Sequence, residues 1–233
     1  MTIFATIRQY VPPMATTASY EALRDAIVSG ELAPNARLIE SDISSTFDMS
    51  RGAVRTALIR LEQEGLVVRE PHRGARVRPV SDEEAVEILQ ARAVLEGLAV
   101  RLAAERIDGP GSARLQACLD RQRDLLEADD LLGASDANAN LHATLLELSG
   151  HGTAVRLIGA LNSQSVRYQY RTILIPGRSA ASVAEHAAIV EAVVAGRPEE
   201  AESAMRRHLF NVAQAVQQGL LPGGIDNAGR GIL

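Results

Sequence analysis

Near residue 80 the spacing at which apolar residues recur changes, and that change limits what the chain can fold into. Before it, short stretches of helical spacing give way to two β-prone runs; after it, from Ser81 to about Gly219, nearly everything is amphipathic helix. Tyr20, Leu23, Ala26 and Ile27 form the first apolar stripe, which stops at Gly30, a residue that accepts the positive φ of a helix end. A second short helix holds Ile43 and Phe47, and a third opens on Ser50, whose hydroxyl suits an N-cap. That third helix carries Val54, Leu58 and Leu61 on one stripe and ends at Gly65. Residues 66–69 and 75–78 then read as strands, reversed through a segment that holds Pro71 and Gly74. Three helices and a two-stranded ribbon predict a winged helix-turn-helix over 19–80, preceded by an N-terminal arm over 1–18.

Beyond Asp82 the pattern predicts about six helices, at 82–107, 112–130, 134–149, 152–172, 180–195 and 198–218. Gly109-Pro110, Gly150, Pro176-Gly177 and the Gly196/Pro198 pair separate them, each combining low helix propensity with a tolerated helix end. The expected fold is therefore mainly α: a winged helix-turn-helix followed by an antiparallel all-α bundle over 81–218, with a mobile tail over 219–233. A length of 233 residues, 46% hydrophobic and 23% charged, suits two modest domains. The single cysteine, Cys118, has no second thiol to pair with and reads as a small buried hydrophobe. Arg8 interrupts the apolar stretch at the N-terminus and no run approaches 18 uncharged apolar residues, so neither export nor a membrane span is expected and a cytoplasmic protein is.

All 24 basic residues are arginine and the net charge is −5, which argues against a protein that coats nucleic acid without selectivity. Charge is nevertheless concentrated: residues 51–78 hold seven arginines against three glutamates, the electrostatic footprint of a DNA-binding module. Asp48-Met49 makes the turn, Ser50 opens the recognition helix, and Arg51 and Arg55 fall four apart on one face of its N-terminal half. That half enters the major groove in a helix-turn-helix, where an arginine fork bonds guanine O6 and N7 or clamps phosphate. Gly52 and Ala53 are small enough for close approach to the duplex. Arg73-Gly74 at the wing tip, flanked by Arg69 and Arg76, suits the adjacent minor groove or its phosphates.

Three histidines in the helical part sit on apolar stripes. His142 interrupts Leu141, Leu145 and Leu146; His186 lies with Val183, Val190 and Val193; His208 lies with Ala201, Met205 and Val212. Asn138, four residues before His142, shares its face. Any one of these histidines is accounted for as a hydrogen-bonded core residue, but three on three helices, with one oxygen donor, make a site for a divalent transition metal: Zn or Ni first, Mn next. Asp136 is out of phase, since six residues rotate it by about 240° from His142. Arg171 or Arg167 is placed to hold the carboxylate of an organic acid at that metal; a solvated position near the helix end is the other reading of Arg171. His72 and His151 read as loop residues, and Arg92 with Glu96 as a structural i, i+4 ion pair.

The stretch 20–34, then Leu38-Ile39-Glu40, then 50–66, resembles the DNA-binding domain of GntR-type regulators. Residues 83–218 resemble the FCD-type effector domain of their fatty-acid-regulator-like subgroup. The resemblance implies base and phosphate contacts at Arg51, Arg55 and the Arg73-Gly74 tip. It also implies metal ligands at Asn138, His142, His186 (after Glu185) and His208. Three departures matter: Asn35 stands where glycine is usual, Ser41 where many members carry a DNA-contacting arginine, and Asn138 where an aspartate is usual. The function expected is a transcription regulator that binds an inverted-repeat operator as a homodimer and responds to a small-molecule carboxylate. The readings from other classes are a metal-dependent hydrolase or lyase built on the helical domain and a structural-metal interaction protein. Against the enzyme stand the absence of a Ser or Cys nucleophile or a His-Glu-x-x-His arrangement beside the histidines, and the winged helix itself.

Overall fold

A computed structural model describes residues 14–70, 74–173 and 175–218; within these, the side chains of residues 14–19, 70, 165–171 and 173 are not described. The arm over 1–13, the wing tip with His72 and Arg73, and the tail from residue 219 lie outside the described residues. The chain separates into two compact units, residues 1–79 and 80–233.

In the first unit α1 (Met14–Val28), α2 (Glu40–Thr46) and α3 (Arg51–Gln63) surround one apolar core. Leu23, Val54 and Leu61 are fully buried there and pack with Ile27, Leu38, Ile43, Leu58 and Val77. Tyr20 clamps α1 to α3: its hydroxyl donates to Glu64 at 2.5 Å and the Arg60 guanidinium lies 3.8 Å above its ring. The turn between α2 and α3 is short because Asp48 takes a left-handed conformation, φ 48°. Ser44 then closes it twice, its hydroxyl donating to the Met49 carbonyl and its own carbonyl accepting from the Met49 amide.

The predicted two-stranded ribbon is a three-stranded sheet. β1 (Arg37–Leu38) pairs antiparallel with β3 (Gly74–Val77), which pairs on its other side with β2 (Val67–Glu70), in the order β1-β3-β2. A two-residue strand has no periodicity to read, and β1 exists only because β3 lies beside it. Register puts Ala75 and Val77 inward and Gly74 and Arg76 outward.

The second unit is a bundle of six helices among the described residues: α4 (Asp82–Arg106), α5 (Gly109–Glu127), α6 (Leu131–Ser149), α7 (Gly152–Ile173), α8 (Arg178–Val194) and α9 (Pro198–Gln217). Helix α4 starts cleanly because the Ser81 hydroxyl accepts from the Glu84 amide and Asp82, Glu83 and Glu84 complement the positive end of the helix. It packs chiefly on α9, running antiparallel, as the Arg101–Glu199 and Arg101–Glu202 pairs show. Helices α5 and α6 pair the same way through Arg114–Glu147. Leu115, Leu141, Leu145, Ile189, Met205 and Leu209 fill the centre. Among the described residues no helix is long and apolar enough to cross a membrane.

Asn35, found where glycine is usual, has φ 63° and donates its amide to the Val77 carbonyl at 2.9 Å. Asparagine tolerates the left-handed region; a β-branched residue does not. Asn35→Gly is expected to leave stability within about 0.5 kcal/mol, and Asn35→Val to lower it by about 1–2 kcal/mol, as urea unfolding of the full chain would measure.

Candidate metal centre and DNA-reading helix

The three histidines predicted to converge do so. His142 comes from α6, His186 from α8 and His208 from α9, and all are buried. Each is on the core side of its helix because apolar residues a turn away put it there: Leu145 and Leu146 on α6, Ile189 and Val190 on α8, Ala204 and Met205 on α9. His186 Nε2 lies 3.3 Å from His142 Nε2 and 3.3 Å from His208 Nε2. One ring nitrogen of each histidine falls within 4.8 Å of the others.

The outward nitrogens are all engaged. His142 Nδ1 is 2.7 Å from Glu96 Oε2 on α4, His186 Nδ1 is 2.9 Å from Gln122 Oε1 on α5, and His208 Nδ1 is 2.6 Å from Glu185 Oε2 on α8. A carboxylate oxygen can only accept, so His142 and His208 carry their proton on Nδ1 and turn an Nε2 lone pair inward. The amide oxygen of Gln122 sets the same tautomer in His186. Three inward lone pairs, that of His186 3.3 Å from each of the other two, repel one another, and a cation between them relieves that repulsion. The donor set is the arrangement of a histidine metal site whose ligands are oriented from behind.

Charge behind the ligands is balanced. Burial pushes the Glu96 carboxyl up, but Arg92 at 2.7 Å and His142 overcome this and hold it at about 2. Burial likewise works against Glu185, yet bonds from His208, Arg178 and Asn211 hold it at about 2. Burial, then the neighbouring imidazoles and Arg178, hold His186 well below the ordinary histidine value; burial brings His208 down to about 4 despite the Glu185 bond. Both are therefore neutral at pH 7, the form that binds metal.

Asn138 lies one turn before His142 on α6 and is half-buried, whereas Asp136 is exposed, as its phase requires. His151, expected in a loop, accepts from the Ala154 amide at the start of α7. Arg167 and Arg171 lie on the backbone of α7, with side chains outside those described. Cys118 is half-buried, its sulfur 3.6 Å from Thr144 Oγ1. Reading the sequence gave Glu96 only its ion pair with Arg92 and missed Gln122 and Arg178. The signal was present: Gln122 follows Leu115 and Leu119 on one stripe, and Arg178 precedes Glu185 by two turns.

In the first unit Ser50 caps α3 as expected, its hydroxyl accepting from the Ala53 amide at 3.2 Å. Arg51 and Gly52 are exposed on the first turn, and a methyl group at Gly52 would meet nothing within 4 Å. Arg55 is exposed one turn on, its Nε donating to Glu40 at 2.9 and 3.2 Å. Gly74 opens β3 at φ 83°. Arg73 lies outside the described residues. Ser41, at the position where an arginine is often found, donates to Asp42 at 3.0 Å.

A winged helix-turn-helix joined on one chain to an all-helical bundle defines a class of transcription regulators. Residues 16–77 match the gntR family of bacterial regulatory proteins and residues 87–211 match the FCD domain. The chain belongs to the GntR family, in its FCD-bearing form. An HTH-type regulator of Streptomyces ambofaciens is 30% identical over 85% of this chain and 84% of its own length. The repressor RspR of Escherichia coli K12 is 28% identical over 85% and 87%. A GntR regulator structure from Rhodococcus sp. RHA1 superposes with TM-score 0.68 at 25% identity, covering 87% of this chain and 97% of that one. The fold is shared also with E. coli McbR/YncC, TM-score 0.73 at 22% identity, covering 89% and 99%. The matched family and the Streptomyces, RspR and Rhodococcus relatives are regulators of transcription and not enzymes, which removes the hydrolase or lyase reading.

Removing Glu96 leaves Arg92 and His142 without their buried acceptor. Glu96→Ala is expected to cost about 3–5 kcal/mol, and Glu96→Gln, which keeps a hydrogen-bonding amide in the same volume, distinctly less. Thermal unfolding of the two variants beside wild type checks this.

Proposed function

We propose that this regulator changes its affinity for operator DNA when a small organic acid binds at a divalent transition metal held by His142, His186, His208 and Asn138. The observation that supports this most is the inward set of three Nε2 atoms, each imidazole fixed from behind by an oxygen. Zn or Ni suits three imidazole nitrogens and one carbonyl oxygen, with Mn next. The four donors are neutral, and the carboxylates behind them are each paired with an arginine, Glu96 with Arg92 and Glu185 with Arg178. The charge of a bound cation is thus left for an anionic effector to complement, with Arg171 or Arg167 on α7 as its further partner.

On the DNA side Ser50, Arg51, Arg55 and the Arg73-Gly74 wing tip make the contacts. One recognition helix reads only a few base pairs, so a homodimer on an inverted repeat supplies the rest, held mainly through the helical unit. The effector acts only by binding one arrangement of the two DNA-reading units better than another, because equal affinity for both shifts nothing. A cytoplasmic location follows from that role.

The test joins the two ends. Duplexes recovered by the wild-type protein from a randomised library serve as operator. A carboxylate that shifts this affinity in metal-loaded protein, and no longer does so after chelation, is the expected result; affinity indifferent to both metal and acids overturns the reading. Arg51→Ala and Arg55→Ala are each expected to cost roughly 1–3 kcal/mol of operator binding at fixed salt if they read guanine, with Arg73→Ala weaker.

At the metal, Asn138→Asp adds a fixed charge and is expected to tighten binding at least about tenfold, roughly 1.4 kcal/mol. His142→Ala, His186→Ala and His208→Ala each weaken it. Competition against a chromogenic chelator measures all four; wild type that takes up no Zn²⁺, Ni²⁺ or Mn²⁺ at micromolar concentration makes these histidines core residues.

A further inference from the structure

Arg55 and Glu40 meet across the helix-turn-helix. Glu40 is the first residue of α2, Arg55 lies a turn inside α3, and Arg55 Nε donates to both carboxylate oxygens, at 2.9 and 3.2 Å. The pair is solvent-exposed, with side chains 67% and 39% accessible, so its contribution to stability is small. Its geometry has another consequence. Because Nε takes the carboxylate, the Nη1/Nη2 edge of the guanidinium is engaged by none of the described residues, and that edge is the fork that bonds guanine O6 and N7 or a phosphate.

We propose that Glu40 is a specificity-positioning residue. It holds the Arg55 fork in a fixed direction for base reading and, as an anion beside the DNA-reading helix, lowers affinity for every duplex alike. Two effects combine. An arginine side chain is rich in rotamers, and a guanidinium already fixed loses less of that freedom on binding. A carboxylate near the phosphates costs affinity on any sequence, because sequence-independent binding is electrostatic. The first favours the right base pair and raises the ratio between specific and non-specific binding; the second lowers affinity for every duplex alike and leaves that ratio unchanged. Helices α2 and α3 make a rigid frame for this, since Ile43, Val54 and Leu58 share one buried core between them.

The inference rests on Arg55 as a DNA-reading residue, and the experiment separates the two claims. The full-length protein is titrated at fixed salt with a duplex that wild type recovers from a randomised library, with single-pair variants of that duplex, and with a scrambled duplex of equal composition. Glu40→Gln removes the charge; Glu40→Asp keeps it but draws it back by one methylene. Both are expected to lower the ratio of selected to scrambled affinity roughly tenfold, with the loss confined to the base pair that Arg55→Ala also relaxes. Glu40→Gln raises affinity for the scrambled duplex, while Glu40→Asp leaves it at the wild-type level. In the Arg55→Ala background neither change lowers the ratio further.

A Glu40→Gln protein that gains the same factor on every duplex, or one that loses discrimination equally with and without Arg55, overturns the positioning role. If Arg55→Ala itself leaves the ratio unchanged, the DNA-reading role of Arg55 fails, and the positioning role falls with it.

Discussion

Three imidazoles buried together are costly unless every nitrogen has a use, and the helical unit is organised around meeting that condition. Each outward nitrogen is met by an oxygen from a helix: Glu96 on α4, Gln122 on α5 and Glu185 on α8. With the histidines on α6, α8 and α9, five of the six helices of the bundle supply a polar group to one point in an otherwise apolar interior. Buried polar groups of this kind are tolerated only when fully satisfied. The two acids carry a second obligation, met by Arg92 and Arg178, so that the outer layer is neutral as a whole. Apart from the buried Nε of Arg178, what remains unmet among the described residues of this cluster is the inward set of lone pairs.

The DNA-binding unit is built on the opposite economy. Its core is almost wholly apolar, and its charged groups lie on the surface, where pairs add little to stability but decide where a guanidinium points. Tyr20 and Glu64 fix α1 to α3, Ser44 closes the turn, and Ser50 caps the helix that carries Arg51 and Arg55. The frame is rigid so that a few exposed side chains can be held in place. In one unit polar groups converge inward on one another; in the other they are displayed outward on the surface.

The two departures from family habit in the first unit have local accounts. Asparagine can occupy the left-handed position at residue 35, so the turn into β1 keeps its shape. Ser41 bonds to its neighbour Asp42 and offers no cation; Glu40, Asp42 and Arg55 are charged groups at that edge of the helix-turn-helix.

By itself the sequence determined the helices of the described residues, the strands β2 and β3, and the faces the helices bury. Apolar spacing marked all the helices of the described residues, the Ser50 hydroxyl marked the cap of α3, and the stripes on α6, α8 and α9 placed three histidines inward. Such features are local, because a helix repeats every 3.6 residues and its buried face can be counted along the chain. Tertiary structure alone decided which oxygen stands behind which imidazole. Gln122 and His186 are 64 residues apart, and Glu96 and His142 are 46 apart. No spacing encodes such a partner. The same holds for β1, a strand of two residues that only its neighbour defines, and for the Glu40–Arg55 contact across a turn. Periodicity fixes the face a residue occupies; only the packing of that face against another helix selects the atom it meets.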